Sequence, residues 1–249
     1  MLSNFDLNHL LTFPIKEAEA RKQFLIGMLV YLAGFIVPII PLLFATGYMM
    51  RIMRQVLRGE QPHMIEWDEW GDMFVDGARL FGARLVYMLP FLLLLCPLLG
   101  ISTALPIILD NAGNNVDWLI ALFPIIFGGF FLIFIPLMFV LSILLPAAEV
   151  HVTDKVEFAA AFRVREWWSI FRANWTGFLL AIVIVYGISL ALSIIIQFAM
   201  LTIVLICFLP IIMPGIAMYS SVVMYTAFAQ AYKEGQNRLG NKIETVSLS

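Results

Sequence analysis

Apolar residues run along the chain in three long blocks, at 23–50, 85–145 and 175–232, and nearly every charge lies outside them. No Lys or Arg falls between Lys22 and Arg51, between Arg84 and Lys155, or between Arg172 and Lys233. A helix needs roughly 20 apolar residues to cross a hydrocarbon core of about 30 Å. The region 85–146 therefore accommodates two spans, with a polar break at 110–117, and 175–232 accommodates two more. The turn of the second pair is weakly marked. Gln197 is its strongly polar residue, and Pro210 and Pro214 read either as a kink or as the turn itself.

The first block behaves differently. Lys16, Arg21 and Lys22 precede it and Arg51, Arg54 and Arg58 follow it, so a single crossing would place basic residues on both faces. Pro38 and Pro41 stand at its centre, where they break or sharply kink a helix. Each half is about 14 residues, or roughly 20 Å of helix, half a bilayer plus an interface. This favours a re-entrant hairpin over 24–50 in preference to one kinked span. Such a segment needs its freed backbone groups covered by neighbouring helices, so it is expected inside the bundle.

The polar segments are patterned as well. Arg51, Arg54 and Arg58 share one helical face, and Trp67, Trp70 and Phe74 repeat that spacing after Gly59 and Pro62. Glu69, Asp72 and Asp76 repeat it again. The arginines read in two ways: as headgroup contacts snorkelling at the end of a helix, or as partners of the acidic stripe across the turn. A second amphipathic element runs from 157 to 174, where Phe162, Trp167, Trp168 and Phe171 interleave with Arg163, Arg165, Glu166 and Arg172, with Trp175 following. Aromatic and basic residues together at the end of a span mark an interfacial helix, so Trp67, Trp70, Phe74, Trp167, Trp168 and Trp175 are expected as interfacial aromatics.

The fold class expected is an all-α polytopic membrane protein. It has four transmembrane helices plus an N-terminal re-entrant (or kinked spanning) helical hairpin, with cytoplasmic interfacial amphipathic helices. Residues 1–249 form one membrane domain: an interfacial segment 1–23, the hairpin 24–50, a cytoplasmic amphipathic pair 51–84, two spans 85–146, an interfacial helix 147–174, two spans 175–232 and a cytoplasmic tail 233–249. Basic loops resist translocation, so the expected location is the cell (inner) membrane with both termini cytoplasmic. The first residues lack a basic start and a cleavage site, so no signal peptide is expected. Recurrent features point to a unit of interfacial helix plus membrane hairpin used three times. These are aromatic-rich segments ahead of apolar runs, and the paired prolines Pro38/Pro41 and Pro210/Pro214.

Composition agrees with this reading. Hydrophobic residues make up 62% of the chain and charged residues 13%, too apolar for a soluble protein to cover its own surface. A net charge of −2 and fifteen basic residues spread over four segments do not suggest a nucleic-acid partner, and none is expected. Cys96 and Cys207 lie in apolar runs without metal or redox spacing and read as small hydrophobic fillers.

Several blocks carry a resemblance. Gly47-Tyr48-Met49-Met50-Arg51, Arg58-Gly59-Glu60, Glu66-Trp67-Asp68-Glu69-Trp70-Gly71 and Phe74-Val75-Asp76-Gly77 resemble the bacterial and archaeal membrane family named domain of unknown function 4013. Ala161-Phe162 and Asn174-Trp175 are similar to its second half, and Ile65 stands where proline is expected. The resemblance implies a stand-alone membrane domain and carries no assigned activity.

Catalysis is not expected. The apolar blocks hold no Asp, Glu, Lys, Arg or His once 110–117 is set aside, and no Walker loop, zinc-protease or hydrolase motif is present. Glu149, His151 and Asp154 could be drawn as a metal cluster, but the plainer reading is a solvated cytoplasmic turn. No catalytic, cofactor or metal residues are assigned. A non-catalytic scaffold or accessory subunit binding lipid or partner helices fits best, and its partners are membrane lipids, other membrane proteins or further copies of the chain. The alternative is a transporter of a neutral or lipid-like molecule. Its polar groups would come from Ser102, Thr103, Ser142, Ser189, Ser193, Gln197 and Thr202.

Overall fold

In the computed structural model, which describes residues 7–112, 117–201 and 207–247, the described chain is helical with no strand. Its elements in order are α1 (Leu7–Lys16), α2 (Ala18–Ala33), α3 (Ile40–Arg58), α4 (Trp70–Ala112), α5 (Asp117–Lys155), a 3-10 turn (Phe158–Phe162), α6 (Val164–Ala173), α7 (Trp175–Met200) and α8 (Leu209–Ser247). Four of them are long and apolar enough to cross a membrane, over Trp70–Leu105, Pro124–Lys155, Trp175–Phe198 and Leu209–Asn241. A short helix followed by two longer ones occurs as α1–α2–α3 and again as α6–α7–α8.

Backbone contacts divide the chain into two compact units, where the sequence pattern reads as one domain. The larger comprises Met1–Ala83 and Pro146–Ser249, and the smaller comprises Arg84–Leu145. In the larger unit α8 is the central post and packs against α1, α2, α3, α6 and α7. Its buried positions include Met218 and Val222, together with Ala227, Ala229 and Ala231, and the alanines are small enough for close helix approach. The partner face of α3 repeats at helical spacing through Ala45, Tyr48, Met49, Ile52, Met53 and Val56, all buried. In the smaller unit the described ring contacts include several phenylalanine pairs. Phe91 meets Phe134 edge-on at 5.8 Å, and Phe130 stacks on Phe134 at 5.0 Å.

The first apolar block forms two helices. Residues 34–39 turn the chain back, Pro41 sits in the first turn of α3, where its missing N–H leaves no bond unmade, and α2 packs on α3. The tip of this hairpin is apolar and uncovered, with Phe35 69% and Ile36 83% exposed.

Other boundaries differ from the sequence pattern. The amphipathic stretch at 70–83 continues without a break into the span of α4. The interfacial element at 157–174 is a 3-10 turn followed by α6. Of the second pair of spans, α7 ends at Met200 and α8 begins at Leu209, so Pro210 stands in the first turn of α8 and Pro214 lies inside it. Residues 113–116 and 202–206, which include part of the polar break and Thr202, lie outside the described residues. Cys96 and Cys207 face outward rather than filling a core.

Candidate functional site

The polar segments between the apolar blocks meet at one end of the larger unit. Trp67, in the loop before α4, donates its indole N–H to the Gln23 carbonyl of α2 at 3.0 Å and stacks on Tyr48 of α3 at 4.2 Å. The Tyr48 hydroxyl donates to the Ile65 carbonyl at 2.9 Å and accepts from the Ile65 N–H at 3.0 Å, which fixes that loop to α3. Asn174, buried just before α7, donates to the Ala231 carbonyl of α8 at 2.8 Å. Gln236 of α8 donates to Asp154 of α5 at 3.1 Å. One polar layer thus joins residues far apart in sequence.

Within it lies an open groove of about 880 Å³, lined mainly by the last turns of α3, the following loop and the first turns of α4. Two glycines set its geometry. A Cβ built on Gly47 would overlap the Met73 carbonyl, and one on Gly77 would overlap the Leu43 carbonyl, so α3 and α4 cross in backbone contact. That proximity brings the basic and acidic stripes together. Arg54 grips Asp76 with both terminal nitrogens at 2.8 and 2.9 Å, and Arg79 reaches the same carboxylate at 2.9 Å. Asp76 is buried, its side chain 6% exposed, so two guanidiniums compensate one desolvated carboxylate. Arg51 meets Glu69 at 2.7 Å, with Asp72 at 4.0 Å. Arg58 lines the groove, exposed, and among the described residues no carboxylate lies within salt-bridge distance of it. Glu19 also lines it, and hydrogen bonds from Lys22 and then Gln23 hold its carboxyl below the usual range.

The aromatics separate into two groups. Trp70, Phe74, Trp168 and Trp175 are partly exposed, with Trp70 and Phe74 also against Phe44. Trp67 and Trp167 are not. Both are buried, with Trp167 donating to the Ala161 carbonyl at 3.0 Å, so they are posts in the core rather than anchors in an interface. A Trp whose N–H finds a protein carbonyl has no need of the interface.

The region around His151 also corrects the sequence reading. His151 and Glu149 lie on α5 and are buried, not in a solvated turn. The imidazole sits between Tyr232 of α8, whose hydroxyl is 2.5 Å from Nδ1, and Glu166 of α6, whose Oε2 is 3.1 Å from Nε2. Among the described residues no group of three metal-ligating side chains is present. The only sequence signal for this network was a polar Glu149, His151 and Asp154 trio directly after an apolar run.

The serines and threonine considered as transport groups bond to carbonyls of their own helices: Ser102 and Thr103 to Leu99, Ser142 to Phe139, Ser189 to Val185 and Ser193 to Leu190. Gln197 is exposed on α7.

A family model described as protein of unknown function (DUF4013) matches residues 30–201, more than half of the chain, and the protein belongs to that family. No curated protein and no solved structure matches it.

Proposed function

We propose that this member of the DUF4013 family is a non-catalytic integral membrane protein, a scaffold or accessory subunit that works by contact with lipid and with partner helices. One observation carries the reading. The apolar spans of α4 and α5 have only 11% of their residues buried, and that of α7 only 6%, against 44% for α8. Three spans therefore leave most of their apolar residues at least partly uncovered by this chain. In a bilayer that surface is covered by acyl chains or by other helices, and association there follows from packing rather than from the hydrophobic effect.

The polar layer supports the same reading. Its charges are spent on one another: Arg51 on Glu69, Arg54 and Arg79 on Asp76. Pairing is thus the role of Arg51 and Arg54, and Arg58 is the arginine left to meet a lipid phosphate. The layer faces the cytoplasm of the cell membrane, with both termini on that side, because it gathers the basic segments. The hairpin α2–α3 enters and leaves by that face, its exposed apolar tip at Phe35 and Ile36 dipping into hydrocarbon. Single cysteines at positions 59, 154 and 237 in a Cys-free background are expected to resist an impermeant thiol reagent in intact cells. One at 114 is expected to react; the reverse pattern inverts the topology.

The test of function is purification in native-lipid nanodiscs. The expected result is a stoichiometric membrane-protein partner or a tightly retained lipid. Saturable flux of a neutral solute through proteoliposomes holding this chain alone would make the transporter the better account.

A further inference from the structure

The charges of the polar layer are distributed unevenly. The lining of the groove at α3 and α4 holds seven carboxylates and four guanidiniums, and three of those guanidiniums are already paired. Helix α6 carries the opposite surplus. Of the arginines between 157 and 174, Arg163 is taken by Glu157. Arg165 and Arg172 are exposed, and among the described residues no carboxylate lies within salt-bridge distance of either. Glu166, the acid of α6, is turned to His151. The outer side of α6 therefore presents two uncompensated positive charges.

Packing sets which way that side looks. Trp167 and Ile170 are buried within the larger unit. Beside them Trp168 stacks on Phe171 at 5.5 Å, Phe171 meets Phe178 at 5.0 Å, and Phe178 meets Phe228 of α8 at 6.4 Å. Phe178 stands in the first turn of the α7 span. This row of rings leads from α6 into the membrane-crossing part of the protein, so the flank of Val164, Trp168 and Phe171 faces hydrocarbon. At about 100° per residue, Arg165 and Arg172 fall on one line, about 40–60° beyond Trp168 and on the side away from Phe171. Aromatics toward the acyl chains and guanidiniums one step round at headgroup level is how an interfacial helix lies. Seven residues set the two arginines about 10 Å apart along the axis, far enough for each to meet its own headgroup.

We propose that the outer side of α6 is a binding site for acidic phospholipids, in which Arg165 and Arg172 each take one anionic headgroup and Trp168 holds the helix at the depth where they reach it. The inference rests on the lipid-contacting reading above and names the class of lipid. A phospholipid satisfies both parts of the surface at once, its phosphate on a guanidinium and its acyl chain along Val164 and Trp168. An acidic protein segment would cover the arginines and leave that flank bare. The groove suits such a lipid poorly, because its excess of carboxylates opposes a net negative headgroup. Arg58 there is left to a headgroup whose phosphate is balanced by its own cationic group.

Native mass spectrometry of the full-length protein in detergent, titrated with phosphatidylglycerol or with phosphatidylcholine of the same acyl chains, tests this. Each arginine at an anionic surface strengthens binding about fivefold, so the wild type is expected to prefer phosphatidylglycerol by about 25-fold. Arg165→Gln or Arg172→Gln alone is expected to lower the preference to about fivefold, and the two together to abolish it. Arg165→Lys with Arg172→Lys keeps both charges and is expected to keep most of the preference, while Arg58→Gln is expected to leave it unchanged. A wild type that binds both lipids alike, a Gln pair that keeps the preference, a Lys pair that loses it, or an Arg58→Gln variant as impaired as the Gln pair overturns the proposal. Saturable solute flux would overturn the scaffold reading and leave this ratio as it is, whereas loss of the ratio leaves the scaffold to its partner helices.

Discussion

Residues 84–145 and the larger unit are built from similar apolar residues and are held in different ways. In the larger unit, tyrosine, tryptophan, asparagine, histidine and a buried aspartate each make a directed bond to a distant segment, as Tyr48 does to Ile65 and Asn174 to Ala231. In the smaller unit the described ring contacts include several between phenylalanines, and the hydroxyls of Ser102 and Thr103 return to their own helix. Its Leu93, Ile125, Leu132 and Ile133 are among the most exposed large hydrophobic side chains described. A directed bond has one satisfying geometry, whereas a lipid-like surface of Leu and Ile is satisfied by any apolar neighbour. The larger unit thus specifies its own arrangement, and the smaller one leaves its environment to specify part of it.

Glycine substitution breaks this comparison most sharply. Gly77→Ala places a methyl on the Leu43 carbonyl, a backbone atom that moves only if α3 and α4 separate. A loss of more than about 3 kcal/mol is expected, at or beyond the upper end of the usual range for overpacking. A Cβ on Gly128, in the smaller unit, meets nothing within 4 Å. There Ala is expected to be neutral or to stabilise by up to about 1 kcal/mol through helix propensity. Reversible unfolding of both variants in one detergent gives the contrast, and equal losses would remove the distinction between the units.

A smaller effect is expected at the paired charges inside the larger unit. Asp76→Ala leaves Arg54 and Arg79 facing each other without their carboxylate. Breaking a fully buried pair costs about 3–5 kcal/mol. Arg54 and Arg79 retain 21% and 35% exposure, so water compensates part of the loss and about 2 kcal/mol is expected. Asp76→Asn, which keeps an acceptor, is expected to lose less. An Asp76→Ala variant as stable as the parent would show that the guanidiniums are solvated in place.

How much of this was legible in the sequence depends on what kind of neighbour a residue meets. The four spans follow from runs without charge, because no other environment tolerates such runs. The stripes of Arg51, Arg54, Glu69, Asp72 and Asp76 follow from helical spacing. The spacing does not reveal that Asp76 is buried while Asp72 is exposed, a difference produced by the Gly47–Gly77 crossing. Trp67 and Trp167 read as membrane anchors because an aromatic beside charges looks alike at a lipid interface and at a protein core reached through a polar layer. His151 read as solvated because its partners, 15 and 81 residues away, are brought to it only by the packing of α6 and α8 on one another. Local pattern reports the face a residue turns outward; it does not report what another segment places on that face.

The finest test compares two charge pairs on the same two stripes. Arg51 is 15% exposed, but its partner Glu69 is 62% exposed, whereas Asp76 is 6% exposed. An ion pair with one end in water gains little Coulomb energy beyond what hydration already supplies, and exposed pairs contribute about 0.2–1 kcal/mol. Glu69→Ala is expected to fall in that range at low salt. At about 1 M salt the Debye length falls to about 3 Å, comparable to the 2.7 Å separation of this largely solvated pair, so the loss is expected to shrink toward zero. The Asp76→Ala loss is expected to persist at that salt, since water and ions do not enter between Asp76 and the forked contacts of Arg54. Measured as a double comparison, two variants at two salt concentrations, the result separates a pairing that orders the groove from one that merely decorates it. If both losses vanish together at high salt, Asp76 is as solvated as Glu69 and the polar layer is held by Tyr48, Trp67 and Asn174 instead.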